Sequence, residues 1–162
     1  MTALIATLCG IGHLRPAPGT WGSLAALPLA WLLHEVGGFW LFFLGSFAVA
    51  ALGWWATKIE LKGQTDHDPA EIVIDEVIGQ WIALWPVSFG AAFTDTEFLQ
   101  LWPGILTAFL AFRLFDIAKP GPVGWADRVG GATGVMLDDV IAGLLAAVVV
   151  AILALGVHLV VL

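Results

Sequence analysis

The stretch Val140-Ile-Ala-Gly-Leu-Leu-Ala-Ala-Val-Val-Val-Ala-Ile-Leu-Ala-Leu-Gly-Val157 contains no charged residue. Wound as a helix it would be about 27 Å long, close to the roughly 30 Å of hydrocarbon in a bilayer. A chain that carries such a run belongs in a membrane, and the rest of the sequence agrees. Hydrophobic residues make up 60% of the 162 positions and charged residues 12%, against roughly 45–50% and about 25% in a soluble domain. Six Lys or Arg and thirteen Asp or Glu cannot cover a water-facing surface at this length.

Working outward from that run, five segments approach a spanning length: Trp21 to His34, Phe39 to Thr57, Ile72 to Phe93, Phe98 to Ala118, and Asp138 to Leu162. The first is short and contains Pro28, so a tilted or partial span is expected there. Connections are short and no repeat is evident. The fold class expected is therefore all-α: a polytopic membrane bundle of about five helices, forming a single domain over residues 1–162. The start, MTALIATLCGIGHL, is apolar but lacks a basic flank and is not expected to be a cleaved leader. Cys9 is the only cysteine, which excludes an intrachain disulfide and a thiolate metal cluster.

Charge is placed asymmetrically. Arg15 precedes the first segment, Lys58 and Lys62 follow the second, and Arg113, Lys119 and Arg128 lie at or beyond the end of the fourth. With five crossings and a cytoplasmic N-terminus, all six fall on or near the cytoplasmic side, as membrane insertion favours. The opposite loops, around Glu35 and Thr94 to Glu97, have no Lys or Arg. Ten of the thirteen acids fall on the basic side too. Trp21, Trp54 and Trp55 fall near one boundary and Trp40, Trp85 and Trp102 near the other, as interfacial anchors do; Trp31 and Trp81 read as packing residues.

Three motifs gather on that charged side. In Glu71-Ile-Val-Ile-Asp75-Glu76-Val-Ile-Gly79, helical spacing stacks Glu71, Asp75 and Gly79 on one face, and the glycine would admit a neighbouring helix. Acids so close to hydrocarbon are costly and tend to be functional, although acids in a solvated first turn would also suit a helix dipole. In Phe112-Arg113-Leu-Phe-Asp116-Ile-Ala-Lys119-Pro120, two cations bracket one carboxylate at a spacing of three, and a snorkelling helix end is the plainer alternative. The third motif runs from Asp127-Arg128 through a glycine-bearing stretch to Asp138-Asp139. Adjacent carboxylates repel unless a proton or a cation intervenes, and hard oxygen donors without a His or Cys cluster point to Mg²⁺ or Mn²⁺. N-capping by Asp138 would account for one acid and leave Asp139 unexplained.

Upstream, Pro16-Ala-Pro18-Gly19-Thr20-Trp-Gly22-Ser23 reads as a turn leading into a helix, with Thr20 or Ser23 as its cap and backbone N–H groups suited to a phosphate. His67, four residues before Glu71, reads either as a ligand or as an ordinary loop histidine.

With these motifs in this order, the chain resembles the phosphatidylglycerophosphatase A family, through APGTWGSLAALP, IVIDEVIGQWI and FRLFDIAKPGPVGWADRVGGATGVMLDDVIAG. The resemblance implies Mg²⁺-dependent hydrolysis of the terminal phosphomonoester of phosphatidylglycerophosphate, within phospholipid synthesis at the bacterial inner membrane. Its pattern falls on Asp75, Glu76, Arg113, Asp116, Lys119, Asp127, Arg128, Asp138 and Asp139, with Thr20 and Ser23 upstream; Glu71 lies in a less strict part. The expected assignment makes Asp75, Glu76, Asp116 and Asp139 catalytic. Asp75, Glu76, Asp138 and Asp139 are expected to hold Mg²⁺. Arg113, Lys119, Arg128, Thr20 and Ser23 are expected to bind phosphate, with Glu71, His67 and Asp127 in support. The expected partners are the lipid substrate and surrounding lipid, with no nucleic acid. An ion- or proton-coupled transporter using the same carboxylates is the alternative.

Overall fold

The computed structural model describes residues 1–63 and 69–161. Its helices are α1 (Thr2–Ala6), α2 (Pro18–Glu60), α3 (Ile74–Thr94), α4 (Trp102–Ala118), α5 (Pro122–Asp127) and α6 (Gly131–Val161), with single 3₁₀ turns at Ile11–His13 and Phe98–Leu101. Among the described residues there is no strand. The chain is thus an all-α membrane protein, with α2, α3, α6, and α4 together with the 3₁₀ turn before it, long and apolar enough to cross a bilayer.

α2 makes two of those crossings. Its backbone leaves helical geometry at Gly37 (φ −149°, ψ 20°) and Gly38 (φ 62°, ψ −161°), and the second pair of angles is open essentially to glycine alone. Leu33 Cδ1 lies 3.6 Å from where a Cβ on Gly45 would stand. Twelve residues of straight helix would separate the two by about 18 Å. The chain therefore reverses at the glycine pair into two antiparallel arms, 18–36 and 39–60. The first arm is longer than the sequence suggested, because Pro18 opens the helix at a position where its missing N–H costs nothing. At 19 residues, or about 28 Å, it is a full crossing despite Pro28.

α3 is the central helix. Val77 through Leu84 are buried without interruption, the pattern of a helix enclosed on every side. Trp81 is among them and donates its Nε1–H to the Ala26 carbonyl at 2.9 Å. The outside of the bundle is apolar: Leu44, Phe47, Leu110, Leu114, Val148 and Ile152 are all exposed, as lipid contact requires.

α3 and α6 run parallel and touch backbone to backbone. A Cβ on Gly79 would stand 2.7 Å from the Asp139 carbonyl and would overlap the Phe112 ring, and a Cβ on Gly143 would meet the Gly79 carbonyl. The glycine step that admits a neighbouring helix beside Asp75 is therefore real, and the neighbour is the helix bearing Asp139. Gly143→Leu should push the two apart, costing about 1–3 kcal/mol or more. The expected result is a lower melting temperature in detergent, with site geometry lost alongside; unchanged melting would contradict so close a contact.

Candidate active site

Four helix ends converge on one cavity of about 340 Å³. Its charged lining consists of Asp75 and Glu76 from α3, Arg113 and Asp116 from α4, Lys119 just beyond α4, and Asp138 and Asp139 from α6. Pro18 and Gly19 at the start of α2 close another side.

Local structure explains each position. The Val73 N–H donates to the Ala6 carbonyl at 2.9 Å, so the small N-terminal helix fixes where α3 begins. Asp75 and Glu76 then occupy the first turn, and Asp75 Oδ1 accepts the otherwise unpaired Glu76 N–H at 3.1 Å. Lys119 adopts a left-handed conformation (φ 45°, ψ 52°) that ends α4 before Pro120. α6 begins at Gly131, seven residues earlier than its apolar run suggested, so Asp138 and Asp139 lie inside the helix. Capping of α6 by Asp138 is thereby excluded.

The cations are engaged. Arg113 Nη1 donates to Asp116 Oδ2 at 2.7 Å and to Ser23 Oγ at 3.4 Å, and stands 4.0 Å from Glu76 Oε1. Ser23 in turn donates to the Gly19 carbonyl at 2.8 Å. Lys119 Nζ donates to Asp138 Oδ2 at 2.9 Å and to Asp127. Burial pulls the Lys119 pKa down, but the bonds to Asp127 and Asp138 outweigh it and hold the amine above its ordinary value, so it stays charged.

The acids outnumber them. Five carboxylates face two cations, a formal −3 if all ionise. Glu76 Oε2 and Asp139 Oδ2 are buried with no hydrogen-bond partner among the described residues. Two sets of acids bring ligand atoms within 4.8 Å of one another, Asp75–Glu76–Asp139 and Asp116–Asp138–Asp139, and Asp139 belongs to both. Converging hard oxygen donors with excess negative charge and orphaned carboxylate oxygens fit a divalent cation such as Mg²⁺.

Not every residue singled out from the sequence joins this group. Glu71 precedes α3, so its expected stacking with Asp75 on one helix face does not occur. Thr20 is the third residue of α2, whose N-cap is Ala17, and neither Thr20 nor Ser23 caps the helix. Ser23 reaches the site only through Arg113. Asp127 stands behind Lys119, and Arg128 is an exposed residue closing α5 and does not line the cavity. His67 lies outside the described residues. Gly19 was not singled out, yet a Cβ there would collide with Glu76 Oε1 and come within 3.2 Å of Arg113 Nη1. Its place in Pro18-Gly19-Thr20 was the available signal, obscured because the segment read as a turn.

The names of its relatives put this multi-pass helical bundle, with acids and cations meeting at one end, in the class of phosphoric monoester hydrolases. The chain belongs to the phosphatidylglycerophosphatase A family, whose model matches residues 4–154. It is 36% identical over 148 residues to the phosphatidylglycerophosphatase A of Haemophilus influenzae, covering 91% of this chain and 85% of that one. The Escherichia coli phosphatidylglycerophosphatase A is 34% identical over 145 residues, covering 89% and 78%. A Bacteroides thetaiotaomicron protein named "Putative phosphatidylinositol-3-phosphatase" is 34% identical over 160 residues, covering 94% and 92%. No solved structure matches the chain.

Proposed function

We propose that this protein hydrolyses the terminal phosphomonoester of phosphatidylglycerophosphate, yielding phosphatidylglycerol and phosphate, with Mg²⁺ as cofactor. The observation that carries the reading is the meeting of five carboxylates with Arg113 and Lys119 in one cavity at the ends of membrane-crossing helices. Such a site lets a phosphorylated headgroup enter while acyl chains stay in lipid.

A phosphomonoester carries nearly two negative charges, so cations must offset it before a nucleophile can approach. Arg113 and Lys119 offer N–H donors to the phosphoryl oxygens, and Asp116 orients Arg113 through their 2.7 Å bond. Asp75, Glu76, Asp138 and Asp139 would hold Mg²⁺, which when bound adds positive charge against the phosphoryl oxygens and eases attack by water. Glu76 Oε2 and Asp139 Oδ2 are buried with no hydrogen-bond partner among the described residues, and whichever of these two carboxylates keeps an oxygen off the metal would accept the attacking water's proton. An aspartyl-phosphate route uses the same residues with a carboxylate as nucleophile. The clustering of all Lys and Arg toward the cavity's end supports a cytoplasmic-facing site in the bacterial inner membrane. A transporter would need acids near the bilayer midplane, and the central turns of the spans have none.

The test is phosphate release by purified protein from phosphatidylglycerophosphate, phosphatidic acid and phosphatidylinositol 3-phosphate, with Mg²⁺ or with chelator. Phosphatidylglycerophosphate should be hydrolysed about tenfold or more faster than the other two, and chelation should abolish release until Mg²⁺ is restored. Metal-independent turnover would defeat the cofactor assignment. Faster release from another lipid would reassign the headgroup.

A further inference from the structure

An apolar groove lies next to the cavity, on the same pair of helices. It has a volume of about 500 Å³ and runs between the 18–36 arm and α4, walled by Leu24, Leu27 and Trp31 on one side and by Leu106 and Phe109 on the other, with Phe98 buried at its far end. These are the same two helices that bring Gly19 and Arg113 to the cavity. Leu24 follows Gly19 by little more than one helical turn, and Phe109 precedes Arg113 by about one. The Arg113–Ser23 bond ties the helices together at the level where polar lining gives way to apolar.

Its dimensions and exposure suit one kind of occupant. From Gly19 to Trp31 the arm rises about 18 Å, close to half the roughly 30 Å hydrocarbon core, which is the depth of one leaflet. Trp31 is 38% exposed and Leu106 48%, so the groove opens sideways toward lipid, and Trp31 is a wall residue where the sequence suggested packing. Another large apolar hollow, which includes Leu153, reaches Thr94 and Gln100 at the opposite end of the bundle, away from the charged site.

We infer that this groove holds one acyl chain of the lipid whose phosphate lies in the cavity, making the gap between the 18–36 arm and α4 the lateral route for substrate and lipid product. The assignment rests on the lipid-phosphatase reading above. A headgroup held by Arg113 and Lys119 directs its chain down that gap, and binding along the chain helps keep the phosphate beside the acids.

Leu24→Trp and Leu106→Trp, which fill the groove, test it beside Leu153→Trp as control. On long-chain phosphatidylglycerophosphate in mixed micelles both groove variants should lose about tenfold or more in kcat/KM, while on the dihexanoyl form they stay within about twofold of wild type. Leu153→Trp should match wild type on both. Equal loss on the two substrates, or no loss on either, overturns the groove assignment while leaving the phosphatase reading intact. Wild-type protein that hydrolyses neither substrate overturns the phosphatase reading instead. The groove then faces a separate measurement, photocrosslinking with a phosphatidylglycerophosphate bearing a diazirine on one acyl chain. Label concentrated on segments 24–31 and 99–109 supports it, and label spread evenly over the lipid-facing surface rejects it.

Discussion

Asp139→Asn should slow phosphate release by about 10²–10³-fold, the scale of losing one well-placed electrostatic group in a catalytic site, while leaving the fold as stable as before or more so. Asp139 is the one acid common to both sets of converging ligand atoms, and its Oδ2 is buried with no hydrogen-bond partner among the described residues. Asparagine keeps the volume and removes the charge. In chelator, that removal relieves repulsion among Asp75, Glu76, Asp116 and Asp138, so the melting temperature should hold or rise. Full activity, or a fall in melting temperature with activity kept, would assign Asp139 a structural role.

The opposite sign of effect is expected at Arg113. Arg113→Met should lower kcat/KM by at least about 10²-fold and also destabilise the protein, by about 3 kcal/mol or more, because buried acids lose their cation. Arg113 binds Asp116 on its own helix and Ser23 on the neighbouring arm, with Glu76 4.0 Å away. All three contacts come from Nη1, which a lysine ammonium can replace in charge, whereas lysine lacks the planar fork that would serve phosphoryl oxygens, so Arg113→Lys should recover much of the stability and little of the rate. Thermal melting and kinetics on the three variants distinguish these outcomes. Equal destabilisation by Asp139→Asn and Arg113→Met would contradict an excess of negative charge in the cavity.

The membrane bundle was legible because burial in lipid leaves an unmistakable mark on composition, and five apolar runs correspond to five crossings. Helix starts were harder to read. α6 begins seven residues before the start at Asp138 that the sequence suggested, since Gly131 to Leu137 are helical without being uniformly apolar, and this moved Asp138 and Asp139 from a cap into a helix. α3 begins at Ile74 because the Val73 N–H is taken by Ala6, a pairing over 67 positions that local spacing cannot reveal, and it leaves Glu71 off the helix. Lys119 and Arg128 looked equivalent as cations near the fourth segment. A left-handed turn carries Lys119 into the cavity, and the extra helix α5 leaves Arg128 exposed outside it. Gly19 was hidden for a related reason: what mattered was the space it leaves for Glu76 and Arg113, a property of the partners.

The reversal at Gly37 and Gly38 has a mechanical consequence. Two residues offer no slack, so the arms 18–36 and 39–60 cannot adjust independently to a thinner or thicker bilayer and must tilt together. One of them carries Gly19 and Ser23 against Arg113, and tilt of that arm changes its spacing from α4. Bilayer thickness would thereby act on the width of the gap proposed for lipid passage, making the lipid matrix a mechanical influence on the site as well as the source of its substrate.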